Sequence, residues 1–371
     1  MPRRIAKVTR ATGMAAAVLV AGLLVTFAIP VQEWRTGDQN LAPLVYEPVP
    51  AGLDLPRRLW IDTDAACGHS ERTDPDDCFA IAVLAQASDF RIVGISSVFG
   101  NAPLDVVDRT VQELAERLSA EVGRSLPVHS GSARPLAPDE LSTQQPAHGA
   151  LTTALEEGPL TVVALGPLTN LAAVLDGRPD LQSRVRLVAV MGRRPGHIFH
   201  PAEGADAGIL FGHGPVFRDF NFVMDIGAAQ KIIASNVRTI LIPYDAARGI
   251  EINAGDLDRL SAAGGTRSWI AERARSWLGY WQKDIGRQGF YPFDLLTAGF
   301  AIAPQHFRCA QVQTWIGEDP TFFIPFWRPT ALLVGQNYGT PTRVHAVGSA
   351  LYCAKVSAAL KHGLMHTPRG P

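Results

Sequence analysis

Between Leu59 and Ala82 the chain reads LWIDTDAACGHSERTDPDDCFAIA, an apolar run that ends in Asp62 and Asp64 and is followed by the adjacent pair Asp76 and Asp77. Carboxylates gathered at the end of a strand and the start of a helix repel one another unless something positive sits among them. A hard cation with oxygen ligands suits such a group, and the absence of a His or Cys cluster argues against a softer metal. No CxxC spacing suggests zinc or thiol redox chemistry. Water held at a hard cation becomes more acidic, and a neighbouring carboxylate that does not grip the ion strongly can take its proton.

The elements that must position these groups alternate along the chain. Segments 59–63, 91–98, 160–165, 185–190 and 237–242 are short β-rich apolar runs that read as buried strands. Helical patterns lie at 75–87, 104–121, 168–175, 226–235 and 266–283. Such alternation predicts βαβ units in an open, mostly parallel sheet with helices on both faces. Ligands in such sheets bind beyond the carboxyl ends of the strands, which puts Asp62, Asp64, Gly100, Asn101, Gly166 and Pro167 on one rim.

The 371 residues are 47% hydrophobic, enough for a sizeable core, and 34 basic residues balance 35 acids. That balance gives no reason to expect a nucleic-acid partner and favours a small-molecule ligand. The N-terminus differs: Arg3, Arg4, Lys7 and Arg10 precede an uncharged stretch, 11–32. Since about 20 apolar residues span a bilayer, residues 1–32 read as a signal anchor, or as a signal peptide cleaved near Thr26-Phe27-Ala28. Either way the basic flank stays in the cytoplasm and the remainder is exported, held to the membrane if 11–32 is retained. Residues 33–57, with Pro43, Pro48, Pro50 and Pro56, read as a Pro-rich tether, and 58–371 as the folded domain. The four cysteines, Cys67, Cys78, Cys309 and Cys353, suit either two disulfides or four buried thiols. Local proximity favours Cys67 with Cys78.

Several segments, in order, resemble the nucleoside hydrolases, the inosine-uridine-preferring group that cuts the N-glycosidic bond of ribonucleosides. They are WIDTD, DPDDCFAIAVL, SSVFGN, VALGPLTNLAAVL, VAVMGR, RDFNFVMD and YPFDLLTAGFAI, from about Leu59 to Ala303. The resemblance implies the same open α/β fold with one Ca²⁺ at the strand ends. It implies Asp64, Asp77, Asp294 and the backbone carbonyl of Leu165 as metal ligands, and Asp76 as the general base. Asn101, Asp219, Asn221 and Asp294 match the ribose-contacting positions, which matter because the transition state is oxocarbenium-like. Asp62 is expected to support the loop from behind. Members of the family commonly form homo-oligomers.

The chain also departs from the family pattern. The compact DxDPGxDD motif gains eight extra residues between Asp64 and Asp76, read either as a tolerated surface insertion or as a lid or partner contact. Asp219 stands where the family usually has Glu. Phe293 replaces a histidine thought to protonate the leaving base, so help must come from stacking or from another acid. Trp269, Trp277, Trp281 and Tyr291 could grip a base, or pack along a helix. His197, His200 and His213 lie in a remodelled loop, as a second metal site or as solvated side chains. Arg193 and Arg194 could meet an anionic substrate group or be a solvated pair. Two other readings stand beside hydrolysis: a divergent, catalytically weak nucleoside- or sugar-binding protein, and an aspartyl phosphatase, suggested by Asp62-Thr63-Asp64.

Overall fold

In the computed structural model, the described residues are 42–50, 52–53, 55–137, 145–195, 219–319, 329–336 and 344–365. The anticipated helix at 11–32 and the histidines at 197, 200 and 213 lie outside them. Among the described residues no helix is long and apolar enough to cross a membrane.

The expected strands form at β2 (Arg58–Thr63), β3 (Arg91–Ser97), β5 (Leu160–Ala164), β6 (Val185–Ala189) and β7 (Arg238–Leu241). They join β1 (Glu47–Pro48), β4 (Val128–Ser130), β10 (Phe307–Glu318), β11 (Thr330–Gly335) and β12 (Val344–Val356) in one sheet. Its order is β1-β10-β12-β7-β6-β5-β2-β3-β4, with β11 also on β10. From β12 to β4 every pairing is parallel, whereas β10 runs antiparallel to β12, β11 and β1. The sheet is therefore mixed but mostly parallel. A separate two-stranded ribbon pairs β8 (Ile252–Asn253) with β9 (Gly289–Phe290).

Strand β2 is the point from which the chain winds both ways, to β3 and β4 on one side and to β5, β6 and β7 on the other. A crevice opens at such a switch point, beyond the carboxyl ends of β2 and β5.

Alternation along β2 sends Leu59 and Ile61 to one face and Trp60 to the other. The first face packs against α1 (Asp76–Gln86), α2 (Leu104–Val122), α9 (Gly265–Tyr280) and α10 (Phe293–Ile302). The second packs against α3 (Pro146–Glu157), α4 (Thr169–Gly177) and α6 (Ile226–Ile233). Each fully buried Leu or Ile in these layers stabilises the fold by about 1.5–3 kcal/mol. The remaining helices are short: α5 (Phe220–Met224), α7 (Tyr244–Ala247) and α8 (Ala254–Ala263), with α11 (Ala359–Met365) after β12. Helix α9 widens into a π-turn at Trp281–Ile285, and Gly286, with a positive φ of 80°, ends it.

The folded body begins before Arg58. Within the segment read as a tether, Glu47 and Pro48 pair with Cys309 and Arg308, Leu44 is buried in the second core layer, and Arg308 donates to the Tyr46 carbonyl. Prolines keep this stretch extended, yet its backbone still pairs along the edge of β10. Both disulfides are formed, Cys67–Cys78 and Cys309–Cys353, the second joining β10 to β12.

Candidate active site

Neighbouring parallel strands each deliver a group to the same rim. Just past β2, Asp64 is buried, and its Oδ2 accepts the backbone N–H of Asn101 at 2.8 Å. Gly100 makes that approach possible, because a Cβ there would stand 1.9 Å from Asp64 Oδ2. Asn101, past β3, also donates from Nδ2 to Asp77 Oδ2 at 3.1 Å, and Thr63 Oγ1 donates to Asp77 Oδ1 at 2.5 Å. One asparagine thus braces two carboxylates.

Asp76 and Asp77 open α1, and Asp294 opens α10, so the positive ends of two helix dipoles face the same group of acids. The backbone N–H of Asp294 donates to Asp76 Oδ2 at 2.7 Å. One carboxylate oxygen from each of Asp76, Asp77 and Asp294 lies within 4.8 Å of the others. The tightest trio therefore includes Asp76, while Asp64 stands close enough to be coupled to all three by charge.

Burial, together with Asp76, lifts the Asp77 carboxyl to about 7. Burial and the neighbouring acids push Asp64 and Asp294 well above the usual carboxylate range. Two buried oxygens, Asp64 Oδ1 and Asp294 Oδ1, accept no hydrogen bond from any described residue. Crowded, oxygen-only and short of positive charge, the donor set fits a hard cation.

At the end of β5, the Leu165 carbonyl accepts Asn221 Nδ2 at 2.5 Å and, with two lone pairs, can still face an ion. Past β6, Gly192 donates its N–H to Asp219 Oδ2 at 2.7 Å, while Asp219 Oδ1 is buried with no partner among the described residues. Burial raises Asp219 to about 6.

Asp62 turns under the rim. Its Oδ1 accepts Ser96 Oγ at 2.6 Å and Asn170 Nδ2 at 2.8 Å, and Asn170 continues the network to Ser132 and His148. Burial raises Asp62 to about 6, and an acid committed in this way braces the loop, a poor fit to the nucleophile of a phosphatase.

Packing decides between several of the alternatives. Trp277 and Trp281 lie in the core, and Trp269 sits under the Arg273 guanidinium at 3.8 Å with its indole N–H on Glu113. An aromatic chain does reach the rim: Trp281 to Tyr291 at 5.0 Å, Tyr291 to Phe293 at 6.4 Å, and Phe293 to Tyr244 at 4.9 Å. Arg193 is neither a solvated side chain nor aimed at a substrate anion, since it pairs with Asp319 at 2.5 Å, the two side chains being 16% and 0% exposed. Arg194 reaches the Ala42 carbonyl at 3.4 Å.

The insertion is folded against its surroundings. Cys67 is tied to Cys78 in α1, Gly68 packs against Arg273, and Arg72 lies over the Tyr280 ring at 5.0 Å. Its last acid, Asp74, accepts the backbone N–H of Asp76 at 3.2 Å.

Four contributors were not picked out from the sequence: Thr63, Asp74, Asn170 and Tyr244. Asp74 is visible in TDPDD, and Tyr244 follows its strand at the distance at which Gly192 follows β6.

The family described as inosine-uridine preferring nucleoside hydrolase matches residues 59–322. Among curated proteins, the pyrimidine-specific ribonucleoside hydrolase RihA of Salmonella schwarzengrund (strain CVM19633) is 23% identical over 288 residues, covering 70% of this chain and 84% of that one. RihA of Escherichia coli (strain SMS-3-5 / SECEC) is 24% identical over 271 residues, covering 66% and 81%. Among solved structures, the plant nucleoside hydrolase PpNRh1 superposes with a TM-score of 0.64 at 18% identity, covering 84% of this chain and 99% of that one. The purine-preferring ribonucleoside hydrolase from Gardnerella vaginalis gives 0.62 at 16%, covering 83% and 96%. These structural likenesses bear on the fold.

Proposed function

The chain belongs to the inosine-uridine preferring nucleoside hydrolase family, and from that membership we propose that it is an exported, Ca²⁺-dependent enzyme that hydrolyses ribonucleosides to nucleobase and ribose, with Asp76 as general base. The observation that carries this reading is the convergence of the Asp76, Asp77 and Asp294 carboxylates from two helix openings. Asp64, Asp77, Asp294 and the Leu165 carbonyl would hold the ion. When bound, Ca²⁺ would lower the pKa of a coordinated water and relieve the repulsion among the acids.

Asp76, oriented by the Asp294 N–H, takes a proton from the attacking water. The water oxygen bonds to C1′, the C1′–N bond breaks, and its electron pair leaves with the base. Asn101, Asp219, Asn221 and Asp294 hold the ribose hydroxyls as positive charge develops on the sugar. Phe293 has no proton to give, so the aromatic set of Phe293, Tyr291 and Tyr244 supports departure of the base through stacking.

The two disulfides fit an oxidising compartment, in line with export of the domain, which residues 11–32 would anchor. A homo-oligomer is part of the same reading.

A second reading is a nucleoside-binding protein with little turnover, favoured by Phe293 and by the Asp219 carboxylate being partly committed to Gly192. A panel of purine and pyrimidine ribonucleosides, with product detection in Ca²⁺ and in chelator, separates the two. Ca²⁺-dependent release of base supports hydrolysis, whereas tight nucleoside binding with no release from any substrate overturns it.

A further inference from the structure

Asp64 and Asp77, the two acids assigned to the ion from the first motif, lie five positions apart in the compact DxDPGxDD pattern and thirteen apart in this chain. The Cys67–Cys78 bridge, which spans eleven positions, undoes that lengthening. Counted through the sulfurs, the path from Asp64 runs over Ala65 and Ala66 to Cys67, across to Cys78 and back one residue to Asp77. Four peptide bonds and one cross-link thus stand in for the five peptide bonds of the compact motif.

Other ties on the inserted segment are weak. Residues 68–72 are exposed, and Arg72 lies over the Tyr280 ring at 5.0 Å and 3.9 Å from Asp284, in a pair open to water. Both cysteines, by contrast, are buried in the first core layer, Cys67 beside Ala65 and Ala66, Cys78 in the first turn of α1. Two thiols need more room than two bonded sulfurs, and a close-packed core does not supply it. Reduction would therefore push the loop after β2 away from the start of α1. Asp77 precedes Cys78 in that turn, and Asn101 holds Asp77 with its side chain and Asp64 with its backbone N–H, so a shift at Cys78 reaches both acids.

On the reading that Asp64 and Asp77 hold Ca²⁺ in an exported enzyme, we propose that the Cys67–Cys78 pair is a redox switch on the ion site: the dithiol chain binds Ca²⁺ weakly, and formation of the bridge completes the site. In that step one cysteine thiolate attacks a disulfide oxidant, and the second displaces the resulting mixed disulfide. The cysteines give up two protons and two electrons, and the oxidant leaves as two thiols. The cytosol keeps thiols reduced. The chain thus carries an unfinished site where it is made and a working one only in an oxidising compartment, which spares the nucleosides of the cell that makes it.

The test reads Ca²⁺ affinity rather than turnover. Calorimetric Ca²⁺ titrations compare the oxidised protein, the protein reduced with dithiothreitol and the protein re-oxidised with oxidised glutathione, with thiols counted and far-UV circular dichroism recorded at each stage. Cys309→Ser/Cys353→Ser, which leaves Cys67–Cys78 as the one bridge the four cysteines can form, should lose roughly 10- to 100-fold in affinity on reduction, keep its circular dichroism and recover on re-oxidation. Wild type should give the same reading, which serves if that variant does not fold. Cys67→Ser/Cys78→Ser should bind weakly throughout and ignore the reductant. Unchanged affinity in a folded, reduced protein overturns the inference, and so does loss of the fold on reduction, which would make the bridge a general staple. Oxidised wild type that binds no Ca²⁺ overturns it together with the Ca²⁺-dependent function, a result distinct from tight binding that reduction leaves alone.

Discussion

Asp294 donates its backbone N–H to Asp76 Oδ2 across 2.7 Å, linking residues 218 positions apart in the chain. The first turn of α10 thereby aims the acid that opens α1, and the same residue turns its own carboxylate toward Asp76 and Asp77. On the proposed reading, positioning and ligation meet in Asp294, whereas Asp76 is the base that it positions.

Replacing the two should therefore give different losses. Asp76→Ala is expected to lower kcat by about 10²–10⁴-fold while Ca²⁺ binding stays largely intact, the range for removing a general base. Asp294→Ala is expected to weaken Ca²⁺ binding as well as turnover. Calorimetric titration with Ca²⁺ beside steady-state kinetics checks both, and full activity in Asp76→Ala would exclude its role as base.

Acidity should act on stability with a definite sign. Burial holds Asp62 and Asp219 at about 6 and Asp77 at about 7, above the ~3.9 of an unfolded aspartate. Between those values the folded chain binds more protons than the unfolded one, so the stability contributed by these groups falls as pH rises from about 4 to about 7. Ca²⁺, which needs deprotonated ligands, should reverse the trend. Melting curves at about pH 5 and about pH 8 test this, and a chelated protein at least as stable at the higher pH would contradict it.

Gly100→Ala should damage the ion site without touching a ligand. The new methyl would meet Asp64 Oδ2 at 1.9 Å, closer than atoms can stand, so either the carboxylate or the 98–102 turn must move. The expected cost is about 1–3 kcal/mol of stability together with weaker Ca²⁺ binding. Binding indistinguishable from wild type would show that Asp64 does not hold the ion.

Opening the Cys67–Cys78 disulfide in a Cys67→Ser/Cys78→Ser variant should cost about 2–3 kcal/mol, since it frees a short closed loop. Because Cys78 follows Asp77 directly, the loss should extend to Ca²⁺ affinity. Urea midpoints and Ca²⁺ titrations of the variant give the two readings, and a changed midpoint with unchanged affinity would make the insertion a stabilising ornament only.

The parallel half of the molecule was legible because its strands are buried on both faces and so read as short unbroken apolar runs, such as LTVVA at β5. The acids were legible because four of them crowd into so few residues. Harder to read was whatever depends on partners distant in the chain. The pairing of Glu47 with Cys309, the placement of β12 beside β7 and the Arg193–Asp319 pair are set by register and packing that no local pattern encodes. The tryptophans of the α9 region show the converse: their spacing allowed either a grip on a base or packing along a helix, and burial in the core decides for packing.

The strand order has a consequence for how the molecule is made. Among the described residues, β10, with β1 and β11 on its flank, pairs with a strand of the parallel array only through β12, which is synthesised after all of them. Until that late strand emerges and slots in, β7 presents a bare row of amides and carbonyls, open to a wrong partner. A ribosome-bound chain missing its last few dozen residues would thus hold the complete set of rim acids on an unfinished sheet, vulnerable to clumping and to proteases until its keystone arrives.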